Sequence, residues 1–390
     1  MKLIKKITVS ALSVATVAAL ALGGTTAANA DPIGSPADRP LRGVGSDTTQ
    51  DLYNGLSQVL FDAPGDKYIS SFNATPIGST IKTWSGGTTF NRPDGSSAGV
   101  KALRSAIDTS TTLLNGTTSV NLNHNDVNFA RSSSGATWLT GTTKGALTYL
   151  PYAADGVTWA TTANSILPTT IPVGSTTDAT TLLTLRNIYA GNVTSYTSGG
   201  TTINLHPLLP QDGSGTRKYF TDTVLAGTTI NTSVVKDVYG TANTPVQENS
   251  GAPLLDGSYI VPFSIGSFIE QTNAATLNAQ YSAGVLDRRG AAELQQVSTS
   301  APLAAGGVLN PAFPLKRVVF TVVETAAITT GNALYNADLA STFVGASGSA
   351  YTQDSPYSGN KVFEDFGFNA LPLTISGSTY TVGSTAFTIN

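Results

Sequence analysis

The stretch 211–217 has the sequence QDGSGTR and lies between a proline-punctuated segment, 205–210, and an amphipathic run, 218–225. This order is typical of a loop that opens into a helix. Its glycines allow the backbone to approach a ligand closely, and Ser214 and Thr216 add hydroxyl groups. Because the first turn of a helix leaves N–H groups unpaired, such a start favours an anion. An ordinary turn with a capped helix has the same pattern, so one loop does not define a site.

Polar loops follow predicted strands or open predicted helices at three other places. The stretch 46–49 (SDTT) comes after an apolar strand, 41–45, and before a helix whose expected N-cap is Ser46 or Asp47. The stretch 95–99 (GSSAG) opens a second helix, and RSSSG follows a third strand, 127–130. Strands that alternate with helices, with polar loops between them, predict an α/β fold that binds ligands where strands end and helices begin.

Hydrophobic periodicity predicts the remaining elements. The alternating apolar run 146–160 is consistent with a strand pair or a crossover, and the tail from Gly345 with β structure or loop. The other predicted elements are a helix at 182–190, a strand at 258–263, a helix at 264–275, a strand at 317–323 and a helix at 331–343.

Composition restricts the class of ligand. The 390 residues include no cysteine, 12% are charged, and the formal net charge is −3. The chain therefore has no disulfides, and a charge-poor, mildly acidic protein is a poor candidate for binding nucleic acid or anionic membranes. An anion would have to be bound by local geometry. No cluster has the spacing of metal ligands, so we expect neither a metal nor a cofactor.

The N-terminus has the pattern of a secretory signal. Three lysines within residues 2–6 precede an apolar core, 7–22, and a small-residue cleavage site, ANA, at 28–30. The apolar core is too short to span a membrane comfortably. We expect a mature protein that begins at Asp31, is secreted or cell-wall associated, and is monomeric. The absence of cysteine excludes a lipid-attached N-terminal Cys.

Four motifs in order give the chain a resemblance to the phosphate-type substrate-binding proteins of ABC importers, and particularly to their secreted actinobacterial branch. The resemblance covers about residues 42–271. The matching stretches are GVGSDTTQD at 43–51, GSSAGVK at 95–101, VNFARSS at 127–133 and DGSGT at 212–216, with VQEN at 246–249 and IVPFS at 260–264.

The resemblance implies a periplasmic-binding-protein type II fold, in which two α/β lobes are joined by two crossover strands and the anion lies in the cleft between them. Lobe I would comprise 31–152 and 263–390, lobe II would comprise 153–262, and residues 1–30 would be the signal peptide. The crossovers would lie near 148–160 and 260–264. Phosphate or a related oxyanion is the implied ligand, and an ABC permease is the implied partner.

In the family the ligand is held by residues that match Asp47, Thr48, Ser96, Ser133 and the segment 214–216. Neighbouring hydroxyls and two arginines complete the expected site. The full predicted ligand-binding set is Ser46, Asp47, Thr48, Ser96, Ser97, Arg131, Ser132, Ser133, Ser214, Gly215, Thr216 and Arg217.

Two positions depart from the family pattern. The carboxylate that accepts the proton of bound phosphate is Ser133 here, and the arginine four residues before the serine of the GSGT motif is Pro210. We expect Arg131 and Arg217 to supply the positive charge, and Asp47 to accept the proton. With these departures, sulfate, another oxyanion or an organic phosphate remain alternative ligands.

Two other functions fit parts of the sequence. The stretch 95–99 matches G-x-S-x-G, which would make Ser97 the nucleophile of a serine hydrolase with His124 or His206 as base. A turn, 91–94, stands where the nucleophile elbow needs an apolar strand, so we expect no enzyme. A secreted cell-wall or matrix protein that kept the binding-protein fold without transport is the remaining alternative.

Overall fold

The computed structural model describes residues 31–32, 38–62, 66–108, 111–135, 147–345 and 347–371, and the backbone of three further strands between 373 and 388. The predicted signal peptide and its cleavage site, 1–30, lie outside the described residues. Within the described part, no helix is both long enough and apolar enough to cross a membrane.

Eight strands form one mixed sheet. They are β1 (Leu41–Gly45), β2 (Ile69–Ser71), β3 (Phe129–Ser132), β4 (Leu147–Thr162), β5 (His206–Pro207), β6 (Tyr259–Ser264), β7 (Ala292–Leu294) and β8 (Lys316–Glu324). The strand order is β5-β6-β4-β8-β3-β1-β2, and β7 pairs with β4. Strands β2, β1 and β3 are parallel, whereas β8 is antiparallel to both β3 and β4. The predicted α/β class is confirmed.

One strand, β4, connects the two halves of this sheet. Its first ten residues, 147–156, pair with β8, and the next four, 157–160, pair with β6. The register shifts once, between Pro151 and Ala153. The run 147–160 is therefore one continuous strand and not a hairpin, although its sequence contains Pro151 and the turn dipeptide Asp155-Gly156.

Several helices in the described part of the chain pack against strands of the sheet. The helices of this part are α1 (Gln50–Val59), α2 (Ser96–Ile107), α3 (Leu185–Tyr189), α4 (Gly215–Tyr219), α5 (Ile265–Thr272), α6 (Ala274–Tyr281), α7 (Thr325–Ile328), α8 (Ala337–Phe343), α9 (Ser349–Thr352) and α10 (Val362–Asp365). A 3-10 turn, Asp47–Thr49, precedes α1, and a π-helical turn, Phe220–Val224, follows α4.

Several predicted boundaries differ from the structure. The helix predicted at 331–343 begins only after Asn336, whose side chain accepts a hydrogen bond from the N–H of Leu339 and so caps α8. The helix predicted at 264–275 continues as a second helix, α6, after Asn273. The tail predicted as β structure or loop contains α9 and α10 before its strands.

Short strand pairs lie outside the main sheet. The antiparallel pairs are Phe61–Asp62 with Asp66–Lys67, Thr80–Lys82 with Thr89–Asn91, Leu113–Asn115 with Thr118–Val120, Ser195–Ser198 with Thr201–Asn204, and Val238–Tyr239 with Thr244–Pro245. Thr170–Ile171 pairs in parallel with Gln296–Val297, and Leu373–Ser376, Thr379–Val382 and Thr385–Thr388 form a meander.

Buried apolar side chains form two main cores that adjoin along β4. The first core contains Tyr53 and Phe129 and extends along β4 to Ala153, whereas the second begins at Val157 and contains Trp159. Phe313 packs in the second core, although the predicted division assigns it to lobe I. The lobe boundaries at 152/153 and 262/263 stay a prediction.

Candidate functional site

The carboxyl ends of three parallel strands bring polar loops to one edge of the sheet. Strands β1, β2 and β3 end side by side, so the loop that starts at Ser46 lies beside Ser133. The N–H of Ser46 donates to the backbone oxygen of Arg131 at 3.0 Å. Gly45 has a φ of +119°, and a Cβ there would lie 2.5 Å from that same oxygen. Glycine is therefore required where the chain leaves β1.

Two predicted hydroxyls from distant parts of the chain meet in the interior. The Oγ1 atoms of Thr48 and Thr216 are 3.5 Å apart, and neither residue is exposed. Nη2 of Arg317 donates to both of them, at 3.3 Å and 3.0 Å respectively. Together with Glu248, these three residues form a buried group that we call the cleft cluster.

Arg317 has both a fixed partner and a free donor. Its guanidinium pairs with Asp155, with Nε 2.9 Å and Nη2 2.8 Å from Oδ2. The carboxylate is held in place by the hydroxyl of Ser264 and the N–H of Gly266, each at 2.9 Å. Nη1 of Arg317 is buried and has no hydrogen-bond partner among the described residues. A buried donor left unpaired is costly, which marks this nitrogen as available to a ligand.

Glu248 accepts hydrogen bonds from the donors expected to hold an anion. The hydroxyl of Thr48 lies 3.2 Å from Oε1, and the N–H of Thr216 lies 3.3 Å from Oε2. The hydroxyl of Ser214 also donates to Oε2. Burial raises the pKa of Glu248 and nearby Asp47 raises it further, while the bond from Ser214 opposes the shift. The cleft cluster therefore holds a carboxyl group that is easier to protonate than usual.

Three predicted serines from different loops lie against the GSGT loop. The hydroxyl of Ser133 is 3.1 Å from that of Ser46 and 3.3 Å from that of Ser96. The N–H of Ser133 donates to Oγ of Ser96 at 3.0 Å. A Cβ on Gly215 would lie 2.2 Å from the Ser133 hydroxyl and 2.5 Å from the Ser96 hydroxyl. The glycine of the motif thus permits direct contact between the two groups of loops.

Asp47 has a cationic partner of its own. Its carboxylate forms an ion pair with Arg288 at 2.8 Å and accepts a bond from Asn249 at 3.3 Å. Behind it, burial raises the pKa of Asp51 to about 7 and raises that of Glu270 well above its usual range. The side chains of Ser46 and Asp47 form no capping bond, and Thr49 is the N-cap of α1. The N-cap predicted for this helix is therefore wrong, because both side chains bond to distant residues.

The two arginines predicted to supply charge bond elsewhere. Arg131 is fully buried and donates to the backbone oxygens of Gly45, Ser46 and Phe72, at 2.8–3.2 Å, and to the hydroxyl of Ser71 at 2.9 Å. Burial lowers its pKa to about 10.

Arg217, on α4, donates to the backbone oxygen of Pro210 at 3.0 Å and pairs with Asp237 at 3.1 Å. Neither arginine joins the cleft cluster in the described part of the chain. Their roles as ligand residues stay predictions.

Ser132 and Ser97 lie at the margin of the site. The hydroxyl of Ser132 donates to the backbone oxygen of Ser134 at 2.6 Å. Ser97 is exposed, and its N–H donates to the backbone oxygen of Gly213 at 3.3 Å.

The histidines suggested as a base have other contacts. Nε2 of His124 lies 2.8 Å from Glu324, and the ring of His206 stacks on Tyr259 with centroids 4.6 Å apart. Among the described residues, neither histidine bonds to Ser97, so no Ser–His pair is present for the hydrolase mechanism. The described part also contains no group of three or more His, Cys, Asp or Glu residues that could hold a metal ion.

Three residues of the site were absent from the predicted set: Asp155, Glu248 and Arg317. Glu248 lies within VQEN, a stretch that carried part of the resemblance, although its hydroxyl partners are more than thirty positions away. Asp155 and Arg317 are directly opposite each other in the β4–β8 register. An aspartate within an apolar strand is the one local signal for this pair, because a buried carboxylate needs a partner.

The comparisons with known proteins agree with this architecture. The family model PBP_like_2, described as a PBP superfamily domain, matches residues 88–345, which is more than half of the chain. No curated protein matches the chain.

Similar solved structures include an ABC-type phosphate transport receptor from Vibrio cholerae. Its sequence identity is 13%, the match covers 84% of this chain and 99% of the receptor, and the TM-score is 0.47. PstS from Borrelia burgdorferi has 13% identity, coverage of 85% and 99%, and a TM-score of 0.40. A human phosphate-binding apolipoprotein has 14% identity, coverage of 85% and 91%, and a TM-score of 0.42. At these scores the structural likenesses carry no argument about the ligand. The family model suffices for one conclusion: the chain belongs to the PBP superfamily.

Proposed function

We propose that this protein captures phosphate, or a similar tetrahedral oxyanion, between two groups of loops and performs no covalent chemistry. The contacts of Arg317 are the main support for this function. Arg317 donates to hydroxyls of Thr48 and Thr216, which are 168 positions apart, and keeps a buried Nη1 without a partner among the described residues. A guanidinium flanked by hydroxyls and a helix N-terminus matches the acceptors of an oxyanion.

Glu248 gives this site a means of selecting phosphate. Asp155 already balances the charge of Arg317, so an incoming dianion would meet the negative charge of Glu248. Monohydrogen phosphate can donate its proton to that carboxylate, whereas sulfate has no proton to donate. We therefore assign to Glu248 the proton-accepting role that the sequence had suggested for Asp47, since Arg288 occupies the Asp47 carboxylate.

Ligand entry requires the two groups of loops to separate. In this structure the Thr48 and Thr216 hydroxyls contact each other, and Gly215 packs against Ser96 and Ser133. Movement of the 214–216 loop away from the Ser96 side would open the cluster. Because donors come from both sides, a bound anion would favour the closed arrangement.

Capture outside the cell by a monomer, in a cleft between the predicted lobes, followed by delivery to an ABC permease, completes the proposal. Export, oligomeric state and permease rest on the sequence alone. Arg131 and Arg217 would stabilise the folded chain through the backbone bonds described above, without contacting the anion.

Calorimetric titration of the wild type and Glu248→Gln with phosphate and with sulfate tests this function. The wild type should bind phosphate more tightly than sulfate, because sulfate leaves the carboxylate facing an anion. Glutamine removes that charge with little change of shape, so the ratio of the two affinities should fall by about tenfold or more.

Glu293→Gln is the matched control, since Glu293 is exposed on β7; its selectivity should equal that of the wild type. Absence of phosphate binding by the wild type would overturn the proposed function. Unchanged selectivity in Glu248→Gln would remove Glu248 from it.

A further inference from the structure

A cavity of about 510 Å³ lies next to the loops that hold Ser96 and Ser132. Its walls come from α2, from the end of β3 and the residues after it, from β4 and from α4, and they include Ser96, Ser97 and Ser132 of the predicted ligand-binding set. Small-molecule sites in proteins have volumes of roughly 300–1,000 Å³. The cavity can therefore hold ligand atoms beyond a single oxyanion.

Three cations line this cavity. Lys101 and Arg104 come from α2 and Lys218 from α4. Lys101 and Arg104 follow Ser97 by four and seven positions, so all three side chains lie on one face of α2. In the described part of the chain neither Lys101 nor Arg104 forms an ion pair, whereas Lys218 pairs with Asp222. Both side chains are exposed, so the cavity presents two cations that no described carboxylate pairs with.

The remaining lining is polar. Its described residues include no Asp or Glu, and Val100 and the ring of Tyr149 are the larger apolar groups. Hydroxyls of serine and threonine occupy most other positions. A ligand group here should therefore be anionic and rich in acceptors, because a hydrocarbon group would leave these donors unpaired.

On the basis of the proposed function, we infer that the cavity binds the second phosphoryl group of a condensed phosphate, of which pyrophosphate is the simplest. The first phosphoryl group lies at the cleft cluster. Ser96 links the two places, since it lines the cavity and a Cβ on Gly215, the residue before Thr216 of the cleft cluster, would lie 2.5 Å from its hydroxyl. Lysine and arginine side chains supply the charge-assisted hydrogen bonds that phosphoryl oxygens accept.

The wild type and the double variant Lys101→Gln/Arg104→Gln are titrated calorimetrically with orthophosphate and with pyrophosphate. Divalent cations are left out of both titrations. The wild type should bind pyrophosphate more tightly. The double variant should lose about tenfold or more in affinity for pyrophosphate, while its affinity for orthophosphate should stay within about twofold of the wild type. Lys82→Gln/Lys236→Gln, which makes the same change of net charge away from the cavity, should leave both affinities unchanged.

Equal wild-type affinities for the two anions, or equal effects of the two double variants on pyrophosphate, overturn the inference and leave the proposed function intact. Tighter binding of glycerol phosphate than of pyrophosphate, dependent on Lys101 and Arg104, assigns the cavity to an organic ester instead. Failure of the wild type to bind either anion overturns the proposed function and this inference with it.

Discussion

Two buried arginines, Arg131 at the end of β3 and Arg317 at the start of β8, show how similar side chains acquire different roles. The N–H groups of Arg131 bond to three backbone oxygens and one serine hydroxyl. Arg317 bonds to one carboxylate and two threonine hydroxyls, and its Nη1 has no described partner. Arg131 therefore holds loops together, whereas Arg317 has capacity for a ligand.

The difference follows from where each arginine lies in the sheet. Arg131 is on a central strand, where the backbone leaving β1 and β2 surrounds it with carbonyl oxygens. Arg317 faces Asp155 across the β4–β8 pair. Asp155 lies on β4 between Ala153, which belongs to the first core, and Val157, which belongs to the second. A guanidinium can bridge several carbonyl groups or present a free fork to an anion, and its surroundings decide which.

The largest expected effect is on stability, from Arg131→Lys. Lysine keeps the charge but lacks the planar fork, so several buried carbonyl oxygens would lose their donors. We expect the free energy of unfolding to fall by about 2–3 kcal/mol, as measured by urea denaturation. The affinity of the folded fraction for phosphate should stay within about twofold of the wild type.

The opposite result for Arg131→Lys would contradict the different roles assigned to the two arginines. Unchanged stability together with lost phosphate affinity would make Arg131 a ligand residue, as the RSSSG loop had suggested. Arg217→Lys serves as the control, because Arg217 is only partly buried and bonds to Pro210 and Asp237.

A smaller effect on stability, counted per pH unit, is expected from the titration of Asp51. Burial raises the pKa of Asp51 from 3.8 to about 7, so between these values the folded chain binds more protons than the unfolded chain. The stability contributed by this group therefore falls as pH rises from about 4 to about 7. Asp51→Asn should make the decline shallower, by at most about 1.4 kcal/mol per pH unit.

Urea midpoints at several pH values between 4 and 7 measure this slope. Glu270 has a raised pKa of the same origin and remains in the variant, so the slope should decrease without vanishing. Asp212→Asn, at an exposed position, should retain the wild-type slope. A steeper decline in Asp51→Asn would contradict the account of this buried carboxyl group.

Much of the fold was predictable because its signals are local. The strand at 41–45 has the predicted bounds, and the loops at Ser46, Ser96 and Ser214 each precede a helical turn as their spacing indicates. Strand β8 extends the predicted strand by one residue at each end, and strand β6 is shifted from its predicted position by one residue. Hydrophobic periodicity and turn residues determine these features within a short window.

The charges of the site were not predictable in the same way. Arg317 lies beyond the stretch that resembled a known family, and its partner Asp155 is 162 positions away. Glu248 meets Thr48 across 200 positions. Register in the sheet and packing between loops produce these contacts, and neither is encoded in local spacing. For the same reason, local spacing indicates Arg131, in the RSSSG stretch, as the guanidinium that contacts the anion, although Arg317 is better placed for this role.

The account depends on Arg317 as the guanidinium that contacts the anion. Calorimetric titration of Arg317→Lys with phosphate, beside Arg131→Lys, tests this most directly. Lysine can retain the ion pair with Asp155 but cannot also present a second nitrogen, so phosphate affinity should fall by about tenfold or more while Arg131→Lys keeps it. Wild-type affinity in Arg317→Lys, with loss of affinity in Arg131→Lys, would contradict the account.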